Sequence, residues 1–246
     1  MRFAQLVNSS PVNPTLVLTA HGSADPRSAA TTREIAQRIR LMRPRQEVRV
    51  AFCEQSTPNL RDVLNELSGP AVVTPLLLAS AYHARIDIPA IIDEAGSAAV
   101  RAETLGEDPR LLMVMRERLS ALGVATQERG VGVVVVAVGS SHTAANGRTA
   151  TVAANMARGT LWATATAFAT GPYRGVDREI EHMRRRGVRR IVLAPWFIAP
   201  GVITDRVAEL AGAADVEMAA PLGSHRLVAQ TVLNRFDQAI SARAAA

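Results

Sequence analysis

The chain has 246 residues, 48% apolar and 20% charged, a balance that fits one large α/β domain or two small ones and argues against disorder and for a buried core. Its single cysteine, Cys53, excludes an intrachain disulfide framework, a thiolate zinc site and a cysteine-ligated iron–sulfur cluster. All 28 basic residues are arginine, so a Walker A loop and Schiff-base chemistry are excluded, and the net charge of +6 suits an acidic ligand.

Thr15–Ala20 reads as a buried strand, and it leads into His21-Gly22-Ser23-Ala24-Asp25-Pro26. Ile35, Ala36, Ile39 and Met42 then repeat at helical spacing. Val48–Phe52 reads as the second strand, followed by Cys53-Glu54, and Leu60, Val63, Leu64 and Leu67 as a helix face. Ala71–Ala79 reads as the third strand and runs into Tyr82-His83-Ala84-Arg85-Ile86-Asp87. Next come a helix carrying Ile88, Ile91, Ile92 and Ala95, a weaker strand at Ala99–Thr104, and a helix over Pro109–Leu122 with proline in its first turn.

The second half repeats this order. Strands are predicted at Val133–Val138, Leu161–Phe168, Ile191–Ile198 and Val216–Ala220, and helices at Ala145–Arg158, Val176–Arg186, Ile203–Leu210 and Leu227–Ile240. His21-Gly22-Ser23 lies opposite Val138-Gly139-Ser140, Thr74-Pro75-Leu76 opposite Ala194-Pro195-Trp196, and Leu105-Gly106 opposite Leu222-Gly223, at a nearly constant offset. A repeat this long is a duplicated domain, not a solenoid. Strand–helix alternation implies parallel sheets with right-handed crossovers. The expected architecture is two tandem flavodoxin-like α/β domains, 1–126 and 131–246, each a four-stranded parallel sheet covered by helices on both faces. No apolar run reaches the ~18–20 residues of a membrane helix, and the start of the chain has no apolar signal core. A cytoplasmic protein that binds no membrane is expected. With 4% aromatic residues and no basic–aromatic interleaving, nucleic acid is not expected either.

Ligands of open parallel sheets bind beyond the carboxyl ends of the strands. There the first half places His21, Glu54 and His83, and imidazole with carboxylate suits a borderline divalent metal. Each has a structural alternative: His21 capping its turn, Glu54 capping the next helix or pairing with an arginine, His83 lying on the surface beside Arg85. Their convergence on one sheet edge favours a functional reading over all three. His142, His182 and His225 read as structural, and Trp196 and Phe197 as core residues or pocket lining. Gly130-Val131-Gly132 precedes a strand and is no dinucleotide fingerprint, and Gly139-Ser140-Ser141-His142 is no nucleophile elbow.

Three segments, Thr19–Ser23, Ala51–Glu54 with Pro58, and Pro75–His83, resemble the class II, ATP-independent sirohydrochlorin chelatases. In the second half Ala194–Gly201 and Thr204-Asp205-Arg206 resemble the carboxyl-terminal half of that family's long form. The resemblance implies that His21 and His83 are catalytic, metal-handling residues with Glu54 as the accompanying carboxylate. It implies Fe²⁺ insertion into sirohydrochlorin, with Co²⁺ insertion as the alternative and no cofactor beyond the substrate metal. A non-catalytic metal or tetrapyrrole carrier is the alternative of another class. The substrate carries eight carboxylates, which gives Arg85 and the Gly22–Ser23 backbone a binding role. Val138 and Ile203 stand at or near the positions equivalent to the two histidines, so one metal site per chain is expected. The second half would then form a wall of the cleft, in a monomer with internal pseudo-two-fold symmetry.

Overall fold

The computed structural model describes residues 13–79, 83–171 and 175–245, without the side chains of His83 and Ala84. The first half contains β1 (Thr15–Ala20), α1 (Pro26–Met42), β2 (Val48–Phe52), α2 (Leu60–Glu66) and β3 (Ala71–Pro75). A π-helical turn (His83–Asp87) follows, then α3 (Ile88–Glu94), β4 (Val100–Arg101) and α4 (Pro109–Ser120). The second half contains β5 (Val131–Ala137), α5 (Thr143–Ala157), β6 (Ala163–Phe168) and α6 (Val176–Arg185). It continues with β7 (Arg190–Pro195), α7 (Val202–Ala213), β8 (Glu217–Met218) and α8 (Arg226–Ala244).

The strands form two separate four-stranded sheets, ordered β2-β1-β3-β4 and β6-β5-β7-β8, parallel throughout. The expected α/β arrangement is thus observed. In each sheet the first strand is central, and the turns leaving the first three strands emerge side by side. No helix among the described residues is long and apolar enough to cross a membrane.

Three boundaries differ from the pattern reading for physical reasons. α1 starts at Pro26, well before its apolar stripe, because Asp25 accepts a hydrogen bond from the Arg27 N–H as N-cap and proline occupies the first turn. The apolar runs 71–79 and 191–198 leave their sheets at Pro75 and Pro195, and their last residues line a cleft instead of a strand face. β4 and β8 shrink to two residues each at the sheet edges.

Packing joins the halves. Along β1, Leu16 and Leu18 face one side and Val17 the other, following the two-residue side-chain period of a strand. Val17 packs with Leu60, Val63 and Ile88 on the α2–α3 side, and Val134 and Val136 of β5 pack with Ile180 and Met183 of α6. The inward faces, Leu16 and Leu18 from one sheet and Val133 and Val135 from the other, belong to one continuous core with Leu111, Met115 and Phe236. The last helix of each half crosses over. α8 lies on α1, β3 and β4, while α4 lies on α5 and β7. Both faces of each sheet are therefore covered, one of them partly by a helix of the other half.

Candidate metal centre and adjoining clefts

His21 follows β1 directly and Glu54 follows β2 after Cys53. Because β1 pairs with both β2 and β3, the ends of these three strands are neighbours; His21 and Glu54 follow theirs closely, whereas His83 comes only with the turn that starts well beyond Pro75. The parallel ladder continues past the strands: Cys53 N–H donates to Ala20 O at 3.0 Å and Glu54 N–H to His21 O at 3.0 Å. That backbone register brings the side chains together, with His21 Nε2 and Glu54 Oε1 2.9 Å apart and both partly exposed. Glu54 thus partners His21, while Asn59 caps α2.

Gly22 makes this approach possible. Its φ is +98°, and a Cβ there would lie 1.7 Å from Glu54 O, so no other residue leaves the two turns in contact. The next turn is held by residues that the pattern reading did not single out. Ser56 Oγ accepts from Ser23 N–H at 3.1 Å and donates to Ser23 O at 2.9 Å, and Gln55 Nε2 donates to Glu54 Oε1 at 3.3 Å. The Ser23 N–H, considered from sequence as a substrate donor, is therefore engaged within the protein. The start of α1 is likewise filled, since the Asp25 carboxylate caps it and pairs with Arg27. Arg27 also reaches Asp205 in α7 at 2.5 Å, tying the two halves near the site.

A cleft of about 270 Å³ opens at His21, Cys53 and Glu54, with Asp87, Ile91 and Glu94 on its far wall. Burial, then the negative charges of Asp87 and Glu54, push the Cys53 thiol up to about 11, so it stays protonated at neutral pH. Asp87, a further carboxylate facing this cleft, lies in a motif read from sequence only for His83 and Arg85. The backbone of His83 opens the π-helical turn after β3, and its side chain, with Ser80–Tyr82 of its motif, lies outside the described residues. Among the described residues no three His, Cys, Asp or Glu side chains converge as a metal cluster.

The second half reproduces the backbone without the histidine and the carboxylate. Ala169 and Thr170 donate to Ala137 O and Val138 O at 2.8 and 2.9 Å, and Gly139 has φ +94° with Thr170 O 2.6 Å from a Cβ built on it. Val138 stands where His21 does, and Thr170 where Glu54 does. Between the halves lies a cleft of about 260 Å³ walled by Leu76–Ala79, Ala137–Ser140, Phe168 and Trp196–Ile198. Trp196 and Phe197 are 3% and 7% exposed, so they close the core and form the cleft wall at once. The Trp196 indole N–H finds no hydrogen-bond partner there among the described residues. Arg85 lines neither cleft. It faces a third cavity with Arg101 and Arg148. Of the remaining histidines, His225 caps α8 through Nδ1 at 3.2 Å from Leu227 N and pairs with Glu117, and His142 precedes α5 in solvent.

The chain is 27% identical over 177 residues to the sirohydrochlorin cobaltochelatase of Priestia megaterium, a match covering 66% of this chain and 57% of that protein. The chain thus spans little more than half the length of that relative. It is 28% identical over 130 residues to the sirohydrochlorin cobaltochelatase of Methanothermobacter thermautotrophicus, covering 43% of this chain and 90% of that one. SirB from Bacillus subtilis with Fe³⁺ superposes with a TM-score of 0.79 at 17% identity, over 92% of this chain and 95% of that one. CbiX, described as the terminal enzyme for biosynthesis of siroheme in denitrifying bacteria, superposes with a TM-score of 0.67 at 17% identity, over 92% and 99%. At these identities the structures show a shared fold. The CbiX family model matches twice, over residues 15–122 and 132–239, once on each sheet and its helices, and the chain belongs to the CbiX family.

Proposed function

We propose that this chain is an ATP-independent sirohydrochlorin chelatase that inserts Fe²⁺ into the macrocycle to give sirohaem. The metal ion is a substrate, and no other cofactor is required. The observation that carries the reading is the His21–Glu54 pair, held at 2.9 Å on the carboxyl edge of the first sheet, where it lines an open cleft. Insertion releases two pyrrole N–H protons and exchanges water on the ion for four ring nitrogens. A neutral imidazole is both a ligand and a base near pH 7. Glu54 adds negative charge that favours the cation and accepts a proton as the pyrroles lose theirs. In this reading His83 is the second imidazole.

Cobalt is the second reading, favoured by the names of both curated relatives and by the affinity order of first-row metals, which places Co²⁺ above Fe²⁺. The macrocycle would lie between the halves of one chain, so that a monomer carries a whole site. The test is an anaerobic absorbance assay with trace protein, excess sirohydrochlorin and each metal in turn. Multiple turnovers are expected, fastest with Fe²⁺. His21→Ala and His83→Ala should each lose most of the rate while remaining folded, and Glu54→Gln should slow insertion and shift its pH profile. Conversion that stops at one equivalent per chain identifies a carrier instead. Folded histidine variants at wild-type rates overturn the site assignment.

A further inference from the structure

Leu78 lines the apolar cleft between the halves. The same side chain is a wall of a second cavity, about 460 Å³, lined by Arg85, Arg101 and Arg148 with Glu103 and Glu107. Arg85 belongs to the π-helical turn and Arg101 to β4, whereas Arg148 comes from α5, so the cavity is completed by both halves. Arg101 has a carboxylate partner, Glu103 at 3.7 Å. Arg85 and Arg148 are exposed, and their guanidinium groups make no ion pair or hydrogen bond among the described residues. Arg27, Arg43 and Arg190, by contrast, are neutralised in place: Arg27 holds Asp25 and Asp205, Arg43 holds Asp237, and Arg190 holds Glu217.

Two unpaired guanidinium groups facing one concave space repel each other, and a carboxylate bound between them removes that repulsion. The planar fork of each group matches a carboxylate in two-point geometry. The position of the cavity says which carboxylate. A flat ring resting on Leu76–Ala79 and Trp196–Ile198 would send an acidic side chain of its rim past Leu78 into the cavity. Resting on the chelatase reading, we propose that Arg85 and Arg148 form a carboxylate subsite that seats one rim acid of the macrocycle. This subsite orients the ring and selects carboxylated rings over uncharged ones. It also makes the second half a contributor of a binding residue as well as an apolar wall.

The experiment measures binding without metal, through quenching of tryptophan fluorescence, since Trp196 lines the cleft. The probes are sirohydrochlorin and its fully methylated ester, against wild type, Arg148→Gln and Arg148→Lys. Wild type should bind the acid at least about tenfold tighter than the ester, Arg148→Gln should lose about tenfold toward the acid alone, and lysine should restore part of it, as a charge-assisted contact requires. In turnover, Arg148→Gln should raise KM with kcat nearly unchanged. Wild type that turns over while Arg148→Gln matches it in acid affinity and KM overturns the subsite and leaves the chelatase reading intact. Arg148-dependent binding with no turnover on any metal overturns the chelatase reading and leaves the subsite standing. Wild type that binds neither probe overturns both.

Discussion

At Gly22 a missing side chain decides whether two catalytic candidates meet. Its positive φ and the 1.7 Å approach of Glu54 O mean that Gly22→Ala must move the turn after β1 away from the turn after β2. We expect a loss of more than about 1 kcal/mol of stability in urea unfolding, since the substitution combines strain with a backbone clash, together with a fall in chelation. Gly139→Ala meets the equivalent contact in the second half and should lose stability with a smaller loss of rate. Cys53 offers a pH test. Its thiol, pushed up to about 11, favours the protonated form in the folded protein, so the thiolate appears only as pH rises toward that value. Alkylation of the native protein at pH 8 should run about a hundredfold slower than that of the unfolded chain, whose thiol titrates near its ordinary value. Equal rates would contradict the burial that causes the shift. His21 and Glu54 were legible because apolar runs mark where strands end. Ser56 and Gln55 were not, because polar loop residues look alike until the loop is folded.

Elements carry the next level of information, and the exchanged helices are the main instance. α8 covers β3 and β4 of the first sheet, and α4 covers β7 of the second, so neither half is packed by its own residues alone. Phe236 in α8 is 1% exposed and sits in the core common to both sheets. Phe236→Ala should cost about 3–5 kcal/mol, the range for removing a buried aromatic ring. The loss should appear as one displaced urea transition in circular dichroism and tryptophan fluorescence together. Two separated transitions would show halves that fold independently. A chain cut at residue 126 retains α4 but lacks the helix that closes its own sheet. Sequence placed helices over α4 and α8, but a helical segment does not state which sheet it will face.

For the whole molecule the central fact is asymmetry within a duplicated backbone. Both halves keep the glycine turn and the extended ladder, but only the first places a histidine and a carboxylate on it. One Co²⁺ per chain is therefore expected in a titration of the intact protein, and two equivalent sites would remove the asymmetric model. His142→Ala and His225→Ala should leave turnover nearly unchanged. His225→Ala should still lower stability by about 1 kcal/mol, because it removes the α8 cap. A strong loss of activity in either variant would place chemistry in the second half.

Taken alone, the sequence determined the parallel α/β class, the internal duplication and the strand ends at which His21 and Glu54 stand. Those features follow from local rules, the spacing of apolar residues and the chemistry of proline, glycine and capping side chains, which act within one element and its neighbours. The tertiary structure decided that Leu76–Ala79 and Trp196–Ile198 form a cleft instead of strands. It also decided that α4 and α8 trade sheets and that Arg148 shares a cavity with Arg85. Each of these depends on contacts between residues far apart in the chain, and an apolar run or a lone arginine carries no record of the partner that will face it.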